Sequence, residues 1–590
     1  MSSSRSSDSR STRAALKVLA RYLGPQWALV TLLLVLLLSS IGLQLLTPQI
    51  LASYIDVARE QGALATLQRF AFTYIVLGLL VQLFSAGATY VGANVGWTAT
   101  NRLRADLMRH LLKLDMSYHK ERTPGEMIER VDGDVTALSN FFSQFSVRVF
   151  GAALLLLGSL VMFWREDVRV GAIVTVFACF TLFALLRARR VGVEPSKKER
   201  EASAELYGFI EERLTGLDDV RALGGGAHAL RGFLGVQKNF FWKAYRAWIA
   251  RSVVWQLSFL MFAIGYVGIL GLAVGFYAAG TITLGTAYLY YTYMTLIEDP
   301  IDQLTQQLQE LQKAGAGLIR IGEVFGLSTE LREGAREVPS GATEVAFRDV
   351  SFAYGDTPVL KDVDFTLRAG RTLGLLGRTG SGKTTLTRLV SRLYDPTAGS
   401  VTLSGIDTRD LSLESLREHV AVVTQDVQLF QASIRDNLTL FDDRLPDERV
   451  AAALEEVGLG DWLASQADGL DSALASGSLS AGEAQLLAFA RVLLRDPGLV
   501  ILDEPSSRLD PATEARLTKA MERLLLHRTA IVIAHRLDTV ARADDILVLG
   551  DGEIVEFGPR EALACRPSSR YSQLLRAASQ GRADFEEVLS

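Results

Sequence analysis

The sequence predicts an all-α six-helix transmembrane domain with long cytoplasmic helical extensions, fused to an α/β P-loop nucleotide-binding domain. Three observations predict it. Six apolar runs crowd the first 300 residues, a G-x-x-x-x-G-K-T loop occupies residues 377–384, and a buried-looking strand ends in two carboxylates at Asp503 and Glu504.

Composition supports the division. At 590 residues the chain is too long for one core. Hydrophobic residues make up 49% of it, and mean hydropathy is +0.21 despite 22% charged residues. The apolar surplus lies almost wholly before residue 300; the remainder has the mixture of a soluble α/β domain. The net charge of −5, with no dominant basic stripe, argues against nucleic acid as a partner. Cys179 and Cys565, the two cysteines, make neither a disulfide framework nor a recognisable metal site. Residues 1–13 are rich in Ser and Arg and lead into no apolar signal core, so a disordered cytosolic tail is expected. The same Arg/Ser bias would suit an organellar transit peptide.

A helix needs about 20 apolar residues to cross a bilayer. The expected crossings are 27–46, 70–91, 149–164, 170–186, 253–277 and 284–297, the last being weakened by interspersed Tyr and Thr. Lys and Arg concentrate between the second and third crossings (Arg102 to Arg130) and between the fourth and fifth (Arg187 to Arg221), which places both segments in the cytoplasm. Both termini then lie there too. Structureless loops of that length are rare. Each segment therefore reads as two helices of ~25 residues projecting ~38 Å, with turns at 118–125 and 216–222. The Tyr and Thr residues at 288–295 suit an interfacial aromatic belt or a cavity lining. No charge is expected deep in a crossing. The expected domains are a transmembrane domain over 14–327, a linker over 328–344, a nucleotide-binding domain over 345–575 and a tail over 576–590.

The phosphate loop comprises Gly377, Arg378, Thr379, Gly380, Ser381, Gly382, Lys383, Thr384 and Thr385. Its glycines permit a tight turn that aims N–H groups at a polyphosphate, Lys383 supplies a point charge, and Thr384 offers a hydroxyl to Mg²⁺. Flanking strand and helix patterns make the match credible. Asp503, at the end of the apolar strand 499–503, suits Mg²⁺ held through water, and Glu504 suits a base acting on a water molecule.

With these motifs in this order, the chain resembles the ATP-binding cassette (ABC) exporter half-transporters over nearly its whole length. The resemblance implies ATP and Mg²⁺ as cofactors and places Tyr354 against adenine. It makes Gln425 a sensor of Mg²⁺ and water that meets the stalk tips, and His535 a contact to the γ-phosphate. Ser507 to Asp510 match the loop that crosses between nucleotide domains. The signature stretch Leu479-Ser-Ala-Gly-Glu483 implies that Ser480 and Gly482 reach a phosphate held by a second protomer. It departs from the usual Leu-Ser-Gly-Gly-Gln at Ala481 and Glu483, and Ala484 replaces a customary basic residue. Altered signatures beside an intact Glu504 imply a heterodimer with one competent site; a homodimer is the alternative. The implied activity is ATP hydrolysis coupled to outward movement of drug-like, lipid or peptide cargo by a multi-pass protein of a bacterial plasma membrane, with its nucleotide domain in the cytoplasm. An ATP-gated channel is the competing reading.

Overall fold

The computed structural model describes residues 21–140, 148–474, 478–503, 511–534 and 537–579. The N-terminal tail 1–13 and the site residues Glu504, Ser507, Asp510 and His535 lie outside the described residues. The chain divides into two units. One comprises 1–114 and 122–328; the other comprises 115–121 and 329–590.

The first unit is built from six long helices: α1 (Trp27–Arg59), α2 (Leu64–Leu111), α3 (Gly151–Glu166), α4 (Val168–Thr215), α5 (Gly226–Ala278) and α6 (Leu284–Gly326). At 1.5 Å per residue, α4 and α5, of 48 and 53 residues, run about 70–80 Å, more than twice a bilayer core. Local chemistry sets the turns. Asp167 accepts hydrogen bonds from the Arg169 and Val170 amides to start α4, and Thr283 caps α6 through the Thr286 amide. Gly280, at φ +70°, makes the turn between α5 and α6. At the far ends, α4 stops at Thr215 and the short helix Leu217–Ala222 intervenes before α5.

Helix α1 packs on α2, α4 on α5, and α3 on α6. Small residues (Ala88, Gly92, Gly96, Ala99) alternate with Val91 and Val95 along the first part of the buried stripe of α2, and let a neighbouring helix approach closely where bulk apolar attraction cannot drive association in lipid. Large apolar residues such as Phe72, Leu79, Phe180, Phe183 and Val267 point outward and stay exposed, the reverse of a soluble bundle.

Five of these helical stretches are long and apolar enough to cross a membrane; α6 is long enough but falls short in hydropathy. Its interspersed Tyr and Thr lower it, and the residues that follow correct the expectation about charge. The apolar run of α6 stops at Ile297, yet the helix continues through Glu298, Asp299 and Asp302. Glu298 reaches back to α5, where its carboxylate accepts a 2.5 Å hydrogen bond from the Tyr266 hydroxyl, near the middle of the fifth apolar run. Asp302 accepts from Ser258 at 2.9 Å. Carboxylates thus do lie at the level of a crossing. The tyrosines also differ from expectation. Tyr290 and Tyr293 are fully buried against Phe163, and the Tyr293 hydroxyl donates to the Leu45 carbonyl at 3.1 Å. Tyr291 alone of this group is exposed.

The second unit has two main sheets. The first is antiparallel, in the order β2-β1-β4-β5, from β1 (Val345–Tyr354), β2 (Thr357–Leu367), β4 (Ala398–Leu403) and β5 (Ile406–Asp407). The second runs β12-β11-β3-β10-β9-β6, from β3 (Thr372–Gly377), β6 (Val420–Val423), β9 (Leu499–Asp503), β10 (Thr529–Ile533), β11 (Asp545–Gly550) and β12 (Glu553–Pro559). The two-residue strands β7 (Ala432–Ser433) and β8 (Ala473–Leu474) pair separately. Strands β3, β6, β9, β10 and β11 are mutually parallel, and only β12 reverses. Their apolar runs are continuous rather than alternating because helices cover both faces. One core joins the two sheets through Phe347, Phe365, Leu375, Leu386 and Ile531. A second lies beneath α8 (Ala481–Arg495), whose Leu486, Leu487 and Phe489 are fully buried, and α9 (Pro511–Leu525).

Candidate nucleotide site

A parallel sheet brings the carboxyl ends of its strands to one edge, where open α/β folds bind ligands. Register fixes what meets there. Ile533 pairs with both Leu375 and Asp503, so β10 and β9 finish level and β3 runs two residues further, to Gly377. The phosphate loop leaves β3 at this edge, Asp503 ends β9, and Gln425 follows β6, which pairs with β9.

The loop's backbone explains its glycines. Gly380 and Gly382 have φ of +83° and +103°. A Cβ on Gly382 would sit 2.7 Å from the Leu360 methyl, so an alanine there meets both strain and a clash. Gly382 caps α7 (Lys383–Val390), leaving the helix's first N–H groups directed into the loop. Lys383 is buried, and its ammonium donates to the carbonyls of Gly377 at 2.7 Å and Arg378 at 2.8 Å. The Ser381 hydroxyl is buried with no hydrogen-bond partner. An orphan of that kind is costly unless a ligand completes it. Arg378, Thr379, Gly380 and Thr384 are exposed, whereas Thr385 is buried.

Tyr354, at the end of β1, is held edge-on to Phe352 and Tyr394, at centroid distances of 4.8 and 5.2 Å. Burial pushes the Tyr394 phenol up from its ordinary range. The Tyr354 hydroxyl accepts from Arg388 at 3.1 Å and lies 3.4 Å from Thr385 Oγ1. One face of the ring is covered by Lys120, from the short helix Met116–Glu121, with Nζ 4.1 Å from the centroid.

The signature stretch begins α8. Ser480 is its N-cap and makes a reciprocal capping box with Glu483. Ser480 and Ala481 are exposed, and Gly482 is buried. Further along the helix, Arg491 donates to the Asn437 and Gln428 carbonyls, and burial lowers its pKa from the ordinary arginine value. Sequence reading missed Lys120, Arg388 and Arg491. Arg388 alone had a local cue, four residues past Thr384 on a helix face shared with the loop.

Comparison with known proteins decides the family. Residues 360–507 match the ABC transporter family and residues 29–301 match the ABC transporter transmembrane region. An ATP-dependent lipid A-core flippase of Thiobacillus denitrificans is 32% identical over 571 residues, 94% of this chain and 96% of that protein. The chain belongs to the ABC transporter family. Within it, a Bacillus subtilis protein described as a probable multidrug resistance ABC transporter ATP-binding/permease protein, YheH, is 30% identical over 84% of this chain and 75% of its own length. The fold is that of the structure of a bacterial Atm1-family ABC exporter with ATP bound, at a TM-score of 0.76 and 24% identity, covering 94% of this chain and 98% of the other. This ABC exporter is an integral, multi-pass membrane protein with a cytoplasmic nucleotide-binding domain, and it couples ATP hydrolysis to transport. ABC exporters act as dimers.

Proposed function

We propose that this exporter moves amphipathic cargo (drug-like, lipid or peptide) outward as one half of a heterodimer. The observation that carries the ATP chemistry is the loop at 377–385, with its buried orphan hydroxyl on Ser381 and its buried Lys383 held on two carbonyls. A triphosphate satisfies the first and gives the second a stronger acceptor. The proposed division is a transmembrane domain at 14–327, a linker at 328–344 and a nucleotide domain at 345–575.

In this reading Tyr354 stacks on the base, and the N–H groups of residues 377–385 cradle the phosphates. Ser480 and Gly482 of one protomer meet the γ-phosphate held by the other, with Asp510 at the dimer junction. Thr384, Asp503 and Gln425 offer oxygen donors that suit Mg²⁺, a cation that keeps few protein ligands and completes its shell with water and phosphate. The chain places two of these donors accordingly: Thr384 is exposed in the first turn of α7, and Asp503 ends β9 at the sheet edge that the loop leaves. Bound there, Mg²⁺ would neutralise charge on the β- and γ-oxygens. Glu504 acts as base toward the attacking water and His535 orients it. Closure of two nucleotide domains switches the helices, and hydrolysis releases them. Taking such a switch from 1:99 to 99:1 requires about 5.5 kcal/mol of differential binding.

The departures at Ala481, Glu483 and Ala484 favour a heterodimer, since they place an extra methyl and a carboxylate where a phosphate must approach. Purified alone in lipid, the chain is expected to hydrolyse ATP poorly, with activity restored by a co-expressed half-transporter. Robust, cooperative hydrolysis by the chain alone overturns the heterodimer.

A further inference from the structure

Arg491 lies on α8, two turns past the signature. Its guanidinium bonds to Gln428, in the irregular segment that follows Gln425, and to Asn437 of the short helix Ile434–Thr439. All three of its nitrogens are engaged. Nε donates to the Asn437 carbonyl at 2.6 Å, Nη1 to the Gln428 carbonyl at 3.0 Å, and Nη2 to Asn437 Oδ1 at 3.3 Å. Asn437 is fully buried and extends the network: its Oδ1 accepts from the Phe430 amide at 2.9 Å, and its Nδ2 donates to the carbonyls of Phe430 at 2.9 Å and Ser433 at 3.0 Å. The guanidinium therefore spends its donors on neutral acceptors.

A half-buried cation fixed on backbone carbonyls is a costly way to pack a helix, because the desolvation of its inner part is offset only by oriented hydrogen bonds. A leucine would fill the same volume more simply. The planar fork specifies geometry, which a point charge or an apolar side chain does not. What it specifies is where Gln428, three residues past Gln425, stands relative to α8. The 424–430 segment has no helix or strand of its own, and most of its residues are exposed. Val427 and Leu429 make apolar contacts, Phe430 packs edge-on against Phe441, and Arg491 and Asn437 add hydrogen bonds that hold the segment to the rest of the domain.

We propose that Arg491 is a positioning residue that joins the Gln425 segment to the signature helix, so that the two move as one body. The inference rests on the dimeric reading above. In that reading Gln425 serves the chain's own ATP while Ser480 serves the partner's, and a rigid tie between them links occupancy of one ATP site to assembly of the other. Energetic linkage of that kind appears as cooperativity.

The test uses the full chain in lipid nanodiscs, with its partner half-transporter if one is needed for activity. ATPase rates are measured against ATP for the wild type, Arg491→Met, Arg491→Lys and Asn437→Ala, alongside thermal melting. The wild type is expected to show a Hill coefficient above one. Arg491→Met should bring it to one and lower kcat by about tenfold, the scale of a small misplacement of catalytic groups. Arg491→Lys keeps the charge, loses the fork and should fall between. A purely structural arginine would lower the melting temperature and leave the Hill coefficient alone; that result, or a cooperative Arg491→Met enzyme, overturns the proposal. Should Arg491→Met fail to fold, the Lys and Asn437→Ala variants carry the same comparison. A wild type without ATPase activity refutes the proposed function itself and this inference with it.

Discussion

Ser480 and Glu483 satisfy one another at the first turn of α8. The Ser480 hydroxyl accepts from the Glu483 amide at 3.3 Å, and Glu483 Oε2 accepts from the Ser480 amide at 2.9 Å and from its hydroxyl at 2.7 Å. The substitution that sets this signature apart from the usual glutamine therefore does two things. It completes a strong helix cap, and it lays a carboxylate over the donors proposed to receive a phosphate.

Glutamine separates the two effects, because its amide oxygen can accept from the same amide without carrying charge. Glu483→Gln is expected to lower the ATP concentration for half-maximal hydrolysis by about fivefold, the equivalent of ~1 kcal/mol of like-charge repulsion at a partly exposed site. Its melting temperature should be unchanged. Raising the salt should shrink the gain by screening. Glu483→Ala should lose about 1 kcal/mol of stability with the cap. An ATP dependence identical to the wild type at low salt would show that the carboxylate does not oppose the nucleotide.

Ser381 and Lys383 should respond in opposite ways to truncation. The Ser381 hydroxyl is buried without a partner. Ser381→Ala therefore removes an unsatisfied group, and should leave nucleotide-free stability unchanged or raise it by up to about 1 kcal/mol. It should also weaken ATP binding. Lys383→Ala cuts the ammonium bridge to Gly377 and Arg378, so it should loosen the empty loop as well as weaken binding by more than about tenfold. Melting curves with and without ATP distinguish the two. A Ser381→Ala protein less stable without ATP would mean that the hydroxyl already has a partner.

These contrasts show how far the sequence could be read. The phosphate loop was legible because glycine spacing and a following helix are local signals, and the strands were legible because parallel strands buried on both faces are uninterrupted apolar runs. Tyr290 and Tyr293 were not: a tyrosine in an apolar helix reads equally as belt, lining or core, and contact with Phe163, more than 120 residues away, decides it. Arg491 was hidden similarly, since its acceptors are carbonyls more than 50 residues upstream and every sequence carries carbonyls. Glu298 was missed for a further reason. An apolar window stops at the first carboxylate, whereas the helix itself does not.

That carboxylate gives the most direct test of the membrane unit. Tyr266 and Glu298 share one hydrogen bond, and no other partner of Glu298 is found among the described residues. The two halves of the pair are not equivalent. Tyr266→Phe leaves an ionisable carboxylate without a donor in a poorly hydrated setting, whereas Glu298→Gln leaves a neutral acceptor for the same phenol. Tyr266→Phe should therefore be the more destabilising change, at about 1–2 kcal/mol, near the upper end for polar contacts between membrane helices. Glu298→Gln should cost less than about 1 kcal/mol. In the double variant Tyr266→Phe/Glu298→Gln the effects should not add, because the neutral amide removes most of the penalty that Tyr266→Phe creates. Unfolding of the full chain in mild detergent, followed for all four proteins, measures the coupling directly. Strict additivity would mean that the two side chains do not interact, and that Glu298 meets water or a second chain instead.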